Sequence, residues 1–188
     1  MRNKNLTWGK TLLGVYKYLD IITNSIDELV YKRAHSSFHY NNMYYNSTYN
    51  TANKIIELTI RKKKLKEIKI LIEDVVAQMK DDDIRIISLL YFDLLKNTTV
   101  AQILQVSMRT FFRQKTIALQ NFAKVLESLG YNHAKLITML EDEKWLIELY
   151  NKTLVDGRSV KQSSKLSDYK LLKSVIKDLN KTATSNYY

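Results

Sequence analysis

The sequence predicts an all-α protein, in which a long antiparallel helical pair is followed by a three-helix unit and C-terminal helices. Two long stretches repeat apolar residues every three or four positions, which is the spacing of one buried helix face. The 188 residues include no proline, the residue that a helix interior tolerates least. A chain of this length forms one or two domains with a proper hydrophobic core.

The N-terminal region, residues 1–80, is predicted to be the helical pair. After a basic tail over residues 1–9, one amphipathic helix extends over about residues 10–35 and a second over about residues 51–79. Two apolar stripes are best buried against each other in an antiparallel pair. The stripes comprise Leu12, Val15, Tyr16, Leu19, Ile22, Ile26, Leu29 and Val30, then Ile55, Leu58, Leu65, Ile68, Leu71, Ile72, Val75, Val76 and Met79.

Two polar stretches accompany this pair. Residues 36–51 are rich in Asn and Tyr without periodicity, and a flexible loop is favoured over a tyrosine platform that stacks unpaired bases. A basic run over residues 61–69 could grip phosphate groups. Glutamates at helical spacings favour a partly neutralised, solvated face instead, namely Glu57, Glu67 and Glu73.

A second region, residues 81–151, begins with an acidic triplet, Asp81-Asp82-Asp83. Carboxylates cap free amides and complement the positive end of a helix dipole, so we expect a helix to start here and to end near Lys96. Its predicted buried face comprises Ile84, Ile87, Leu90, Tyr91 and Leu94.

The run from Val100 to Lys115 predicts a short helix, a tight turn and a second helix that the Ser107 hydroxyl caps. This is the pattern of a helix-turn-helix, in which the second helix can enter the DNA major groove. Its small apolar core comprises Val100, Ala101, Leu104 and Val106.

The C-terminal part continues with helix signals and then a polar tail. Gly130 suits a left-handed cap after the second helix, and Asn132 can cap a further short helix. An apolar cluster is expected to pack back on the three-helix unit, and it comprises Trp145, Leu146, Leu149 and Tyr150. Residues 152–188 are predicted to be a basic, partly disordered tail with a loose helix over residues 166–179.

Four elements carry a family resemblance: Tyr91-Phe92-Asp93, Val100-Ala101, Val106-Ser107-x-Arg109-Thr110 and Ala118-Leu119. From about Asp83 to Leu129, roughly a quarter of the chain, the sequence resembles region 4 of bacterial sigma factors. Leu94 and Gln105 stand where that family usually has glycine, and Lys115 where an apolar residue is common. Gln105 is therefore expected to accept a turn geometry that glycine adopts without a steric penalty.

The predicted function is sequence-specific binding of duplex DNA by a bacterial, phage or mobile-element transcription regulator. A guanidinium can bond guanine O6 and N7 together, so Arg109 and Arg113 are the expected guanine readers, while Phe112 could contact a thymine methyl group. In sigma region 4, the positions matching Met108, Arg109, Phe112 and Arg113 read the promoter element, and the resemblance implies the same role here. Phosphate or flanking contacts are expected of Ser107, Thr110, Gln114 and Lys115. The complete predicted DNA-binding set is Ser107, Met108, Arg109, Thr110, Phe112, Arg113, Gln114, Lys115 and Thr116.

The charge balance agrees with a nucleic-acid partner without selecting one. Thirty basic against 19 acidic residues give a net charge of +11, which attracts duplex DNA, ribosomal RNA or an anionic membrane surface alike. Two alternatives stay open: a sigma-like factor that recruits RNA polymerase, and a helical protein-interaction module without DNA. Residues 10–80 do not match the polymerase-gripping region of small sigma factors, so we prefer a regulator whose long helices serve either homodimer formation or contact with another partner.

Other functional classes find little support in the sequence. The absence of cysteine excludes disulfides and thiolate metal sites, and His35 and His39 lack a third zinc ligand. No glycine-rich phosphate loop or nucleophile motif is present, so neither a cofactor nor enzymatic activity is expected. No apolar run approaches the ~20 residues of a spanning helix, and we expect a cytoplasmic protein without a membrane partner.

Overall fold

The computed structural model describes residues 4–36, residues 45–156 and Val175, and every element within this described part is helical. The all-α prediction is therefore confirmed. A π-helical turn, Ser88–Phe92, directly continues the third helix. The α-helices are α1 (Lys4–Ser36), α2 (Tyr45–Ala77), α3 (Asp81–Ile87), α4 (Asn97–Ile103), α5 (Met108–Ser128), α6 (His133–Met139) and α7 (Lys144–Asp156).

Two compact units share these helices. The described residues of the first, which we call the α3–α7 unit, are 4–17 and 70–156. Those of the second, which we call the helical-pair unit, are 18–36 and 45–69 with Val175. The first turns of α1 and the last turns of α2 thus belong to the α3–α7 unit.

In the helical-pair unit, ion pairs fix α1 and α2 as antiparallel. Lys69 Nζ lies 2.8 Å from Asp20 Oδ1, and Lys62 Nζ lies 2.7 Å from Asp27 Oδ2, so later residues of α2 meet earlier residues of α1. Lys62 and Lys69, two of the cations expected to be neutralised by glutamates of α2, are therefore paired with carboxylates of α1. Most residues of the predicted stripes in this unit are buried, namely Leu19, Ile22, Ile26, Leu58, Leu65 and Ile68, whereas Leu29, Val30 and Ile55 are half-buried.

Three predicted element boundaries are wrong. Residues 4–9, assigned to a basic tail, are helical, because Trp8 is fully buried and anchors the first turns of α1. Helix α2 begins at Tyr45, within the predicted loop, and residues 37–44 of that loop lie outside the described residues. Helix α7 extends to Asp156, whereas the rest of the predicted tail lies outside the described residues except for Val175.

Helix α3 begins at Asp81 as predicted, but its carboxylates do not cap it. The N-cap residue is Lys80, without a side-chain hydrogen bond. Asp83 instead is buried and accepts a 2.7 Å hydrogen bond from Asn121 Nδ2 of α5. The last residue of the acidic triplet therefore joins two helices, because its side chain faces α5 rather than the free amides.

The predicted continuation of α3 to Lys96 is also wrong. Leu94 has a φ of 56° and is 41% exposed, so it leaves the helix and does not belong to the buried face. The Asp93 N–H donates to the Ser88 carbonyl over 2.9 Å and closes the π-helical turn, and the Leu95 N–H then donates to the Leu89 carbonyl over 3.0 Å. The left-handed conformation of Leu94 turns the chain toward α4.

Helix α5 forms the centre of the α3–α7 unit. Both α3 and α4 pack on it, and its buried residues are Phe111, Ala118, Leu119, Phe122, Ala123 and Leu126. Helix α1 approaches it at Gly9, where an added Cβ would lie 3.1 Å from Phe122 Cδ1. Trp8 stacks on Tyr150 of α7 with 4.2 Å between ring centroids. The predicted packing of the C-terminal apolar cluster thus includes the start of the chain.

Candidate nucleic-acid interface

A left-handed residue makes the turn between α4 and α5. Gln105 has a φ of 53°, the Val106 N–H donates to the Ala101 carbonyl over 3.1 Å, and the Gln105 N–H donates to the Gln102 carbonyl over 3.1 Å. This pair of bonds is a Schellman motif, which usually has glycine at the left-handed position. The expectation that Gln105 adopts the glycine geometry is confirmed.

Ser107 caps α5 as predicted. Its Oγ accepts a hydrogen bond from the Thr110 backbone N–H over 3.2 Å and lies 3.0 Å from Thr110 Oγ1. The cap satisfies one of the amide groups that a helix start leaves free. At the other end, Gly130 has a φ of 83° and Tyr131 donates to the Leu126 carbonyl over 3.1 Å, which confirms the predicted C-terminal cap.

One side of α5 is exposed along its first three turns. Met108 and Phe112 are 38% and 48% exposed, although both are large apolar residues. The opposite side is the buried core of the unit, so α5 has one exposed and one buried face. The exposed face comprises Met108, Arg109, Phe112, Arg113 and Thr116.

The flanking residues of the predicted site lie deeper. Thr110, Gln114 and Lys115 are half-buried. Lys115 Nζ donates to Asn97 Oδ1 over 3.2 Å, and burial, followed by the nearby Lys10, lowers the pKa of Lys115. Their role in phosphate contacts stays a prediction.

Two neighbours of Lys115 were not found from the sequence. Asn97 opens α4 and holds the ammonium group, whereas Lys10 comes from α1 and repels it. Neither spacing nor composition connects these residues with α5. They meet only because α1, α4 and α5 pack in one unit, so no local sequence signal could have identified them.

The charged residues on the exposed face of α5 are all basic. From Met108 to Leu126, α5 contains no acidic residue, and Glu127 is the first one. The helix start adds a partial positive charge from its aligned peptide dipoles. Within α5, Arg109 and Arg113 therefore have no carboxylate to offset their charge, which suits phosphate groups and the acceptor atoms of guanine.

Other kinds of site are not supported in the described part of the chain. No group of three potential metal ligands is found there; His35 is exposed beside Tyr31, and His39 lies outside the described residues. None of the helices in residues 4–36 and 45–156 is long and apolar enough to cross a membrane. Compared with known proteins, the chain matches no protein-family model, no curated protein and no solved structure.

Proposed function

We propose that this protein is a transcription regulator that binds duplex DNA sequence-specifically through α5. The observation that carries the proposal is the exposed face at the Ser107-capped start of α5, where Arg109 and Arg113 stand together without a carboxylate. The major groove admits one α-helix, and residues near the start of a recognition helix contact base edges. In this proposal, Arg109 and Arg113 each bond guanine O6 and N7.

The backbone around α5 supports the resemblance to sigma region 4. Leu94 and Gln105 are the non-glycine residues with positive φ in the described part of the chain. Both stand where that family usually has glycine. The left-handed conformation thus occurs at the two positions that the resemblance marks, although the residues there are leucine and glutamine.

The position of Arg109 in α5 also favours an anionic partner. A cation in the first turn opposes the helix dipole and costs about 0.3–1 kcal/mol at an exposed site. The first turn contains no acidic residue that would offset it. A DNA phosphate near the helix start would turn this local disadvantage into a favourable interaction.

A second candidate function is docking of α5 on another protein, including RNA polymerase in a sigma-like role. The observation that favours it is the exposure of Phe112 and Ile117, which are 48% and 45% accessible. The two functions differ in salt dependence: DNA binding loses orders of magnitude in affinity between low and moderate salt, whereas apolar docking hardly changes.

The test is selection of bound duplexes from a random DNA library at near-physiological salt. The full-length protein is compared with Arg109→Ala/Arg113→Ala, and with Lys63→Ala/Lys66→Ala as a control that removes equal charge from exposed positions of α2. The wild type and the lysine variant should enrich one motif, and the arginine variant should lose it. A palindromic motif would indicate a dimer. Equal enrichment by all three proteins, or no motif, would overturn the proposal.

A further inference from the structure

The exposed face of α5 repeats one pair of residues, an apolar side chain followed by an arginine. The pairs are Met108-Arg109 and Phe112-Arg113, four positions apart. Because four residues make about one helical turn, the two apolar side chains align along one edge of the face and the two arginines along the neighbouring edge. The face therefore presents two similar pairs of an apolar residue and an arginine, one helical turn apart.

The apolar edge is large and is not needed for the core of the unit. Phe112 remains 48% exposed although its ring contacts Phe111, with 5.4 Å between centroids. Phe111 is fully buried and supplies the apolar packing of this turn. A partner that covers this surface would remove apolar area from water and thereby stabilise the complex.

The chemistry of the major groove offers one apolar group, the C5-methyl of thymine. This methyl group lies beside the acceptor O4 of thymine, and a neighbouring guanine presents O6 and N7 to the same groove. An apolar side chain followed by an arginine matches a thymine next to a guanine. The positive field of the arginines and the absence of carboxylates before Glu127 favour this occupant over an apolar protein surface.

We infer that Met108 and Phe112 read thymine C5-methyl groups beside the guanines that Arg109 and Arg113 contact. The inference rests on the proposed function and adds the chemical class of its target, duplex sites that carry thymine methyl groups at two defined positions. Binding specificity then depends on apolar contact as well as on hydrogen bonds. Deoxyuridine has the same pairing and the same O4 acceptor as thymidine, so only the methyl group distinguishes them.

The experiment uses the full-length protein and two random duplex libraries, one with thymidine and one with deoxyuridine throughout. The motif enriched from the thymidine library is then synthesised with deoxyuridine at single positions. Affinity should fall about fourfold for each methyl group removed, the effect of one lost apolar carbon. Met108→Ala and Phe112→Ala should each become insensitive to deoxyuridine at one position.

Ile117→Ala is the matched control variant. Ile117 is 45% exposed on the same helix, about 140° around the axis from Phe112, and it should leave the methyl discrimination unchanged. Thermal unfolding of each variant verifies that its fold is retained.

The outcomes separate the inference from the function on which it rests. If neither library yields a motif, sequence-specific DNA binding itself is wrong. A motif bound equally with thymidine and with deoxyuridine would leave the proposed function standing and overturn the methyl readout. Discrimination that persists in both alanine variants, or that disappears in Ile117→Ala, would overturn the assignment to Met108 and Phe112.

Discussion

Gln105 occupies a left-handed conformation that residues with a Cβ adopt at a cost of about 1–2 kcal/mol. We predict that Gln105→Gly raises the free energy of unfolding by about 0.5–1 kcal/mol, because the relieved strain exceeds the added entropy of the unfolded chain. Gln105→Val should lower it, since a β-branched residue fits this region poorly. Urea unfolding measures both changes.

The control is a substitution to glycine within α4, the helix that precedes this turn. Gln102 is exposed within α4, and Gln102→Gly should destabilise the protein by about 1 kcal/mol. If glycine at both positions lowered the stability equally, the strain assigned to Gln105 would be absent.

His133 links the start of the chain to α6 in a pH-dependent way. Its Nδ1 accepts the Trp8 indole N–H over 3.0 Å, which requires an unprotonated nitrogen, and burial, followed by Lys4, lowers the pKa of His133. A lowered folded-state pKa contributes stability that is present above the unfolded value of about 6.5 and is lost as the pH falls below it. We therefore predict a lower free energy of unfolding at pH 5.5 than at pH 7.5.

The variant His133→Gln distinguishes the contribution of this histidine to the pH dependence of stability from the contribution of carboxyl groups, which titrate at lower pH. Glutamine keeps an acceptor for Trp8 but has no proton to gain, so the stability difference between the two pH values should shrink. Chemical unfolding followed by tryptophan fluorescence checks this. An unchanged difference in the variant would mean that other groups cause it.

At the scale of the element, one hydrogen bond connects the first turn of α3 with the centre of α5. Asp83 is buried and accepts from Asn121 over 2.7 Å. Asp83→Ala should cost about 1–3 kcal/mol of stability, because it leaves the Asn121 amide without this partner. The exposed Asp82 offers a matched control, and Asp82→Ala should change stability by less.

A double-mutant cycle tests whether the two side chains act together. Asp83→Ala/Asn121→Ala should cost less than the sum of its single variants, with a coupling of at least about 0.5 kcal/mol. Strict additivity would show that Asp83 stabilises α3 by another route, such as the helix dipole.

Helix faces were predictable from the sequence, and so were the starts of α3 and α5, whereas the starts of α1 and α2 were not. The apolar stripes of α1 and α2 and the two faces of α5 follow from a period of 3.6 residues, which every turn repeats. Trp8 was assigned to a tail because its partner His133 lies 125 residues further along the chain. A terminal turn that is stabilised by such distant packing carries no periodic signal of its own.

At the scale of the whole molecule, the same distinction applies to the candidate site. The exposure of Arg109 and Arg113 was predictable, since it follows from the buried face of one helix. The half-burial of Lys115 was not, because it depends on Asn97 and Lys10 from two other helices. Composition predicted a polyanionic partner through the net charge of +11, and only the packing shows which cations remain exposed.

The left-handed turns have a consequence for comparing turns by residue type. After Leu94 and Gln105, the backbone amides of Leu95 and Val106 donate back to the carbonyls of Leu89 and Ala101. A comparison that requires glycine at the left-handed position would overlook both turns, because each is made by a residue with a Cβ. The spacing of the carbonyl acceptors, six residues before Leu95 and five before Val106, identifies these turns without reference to residue type.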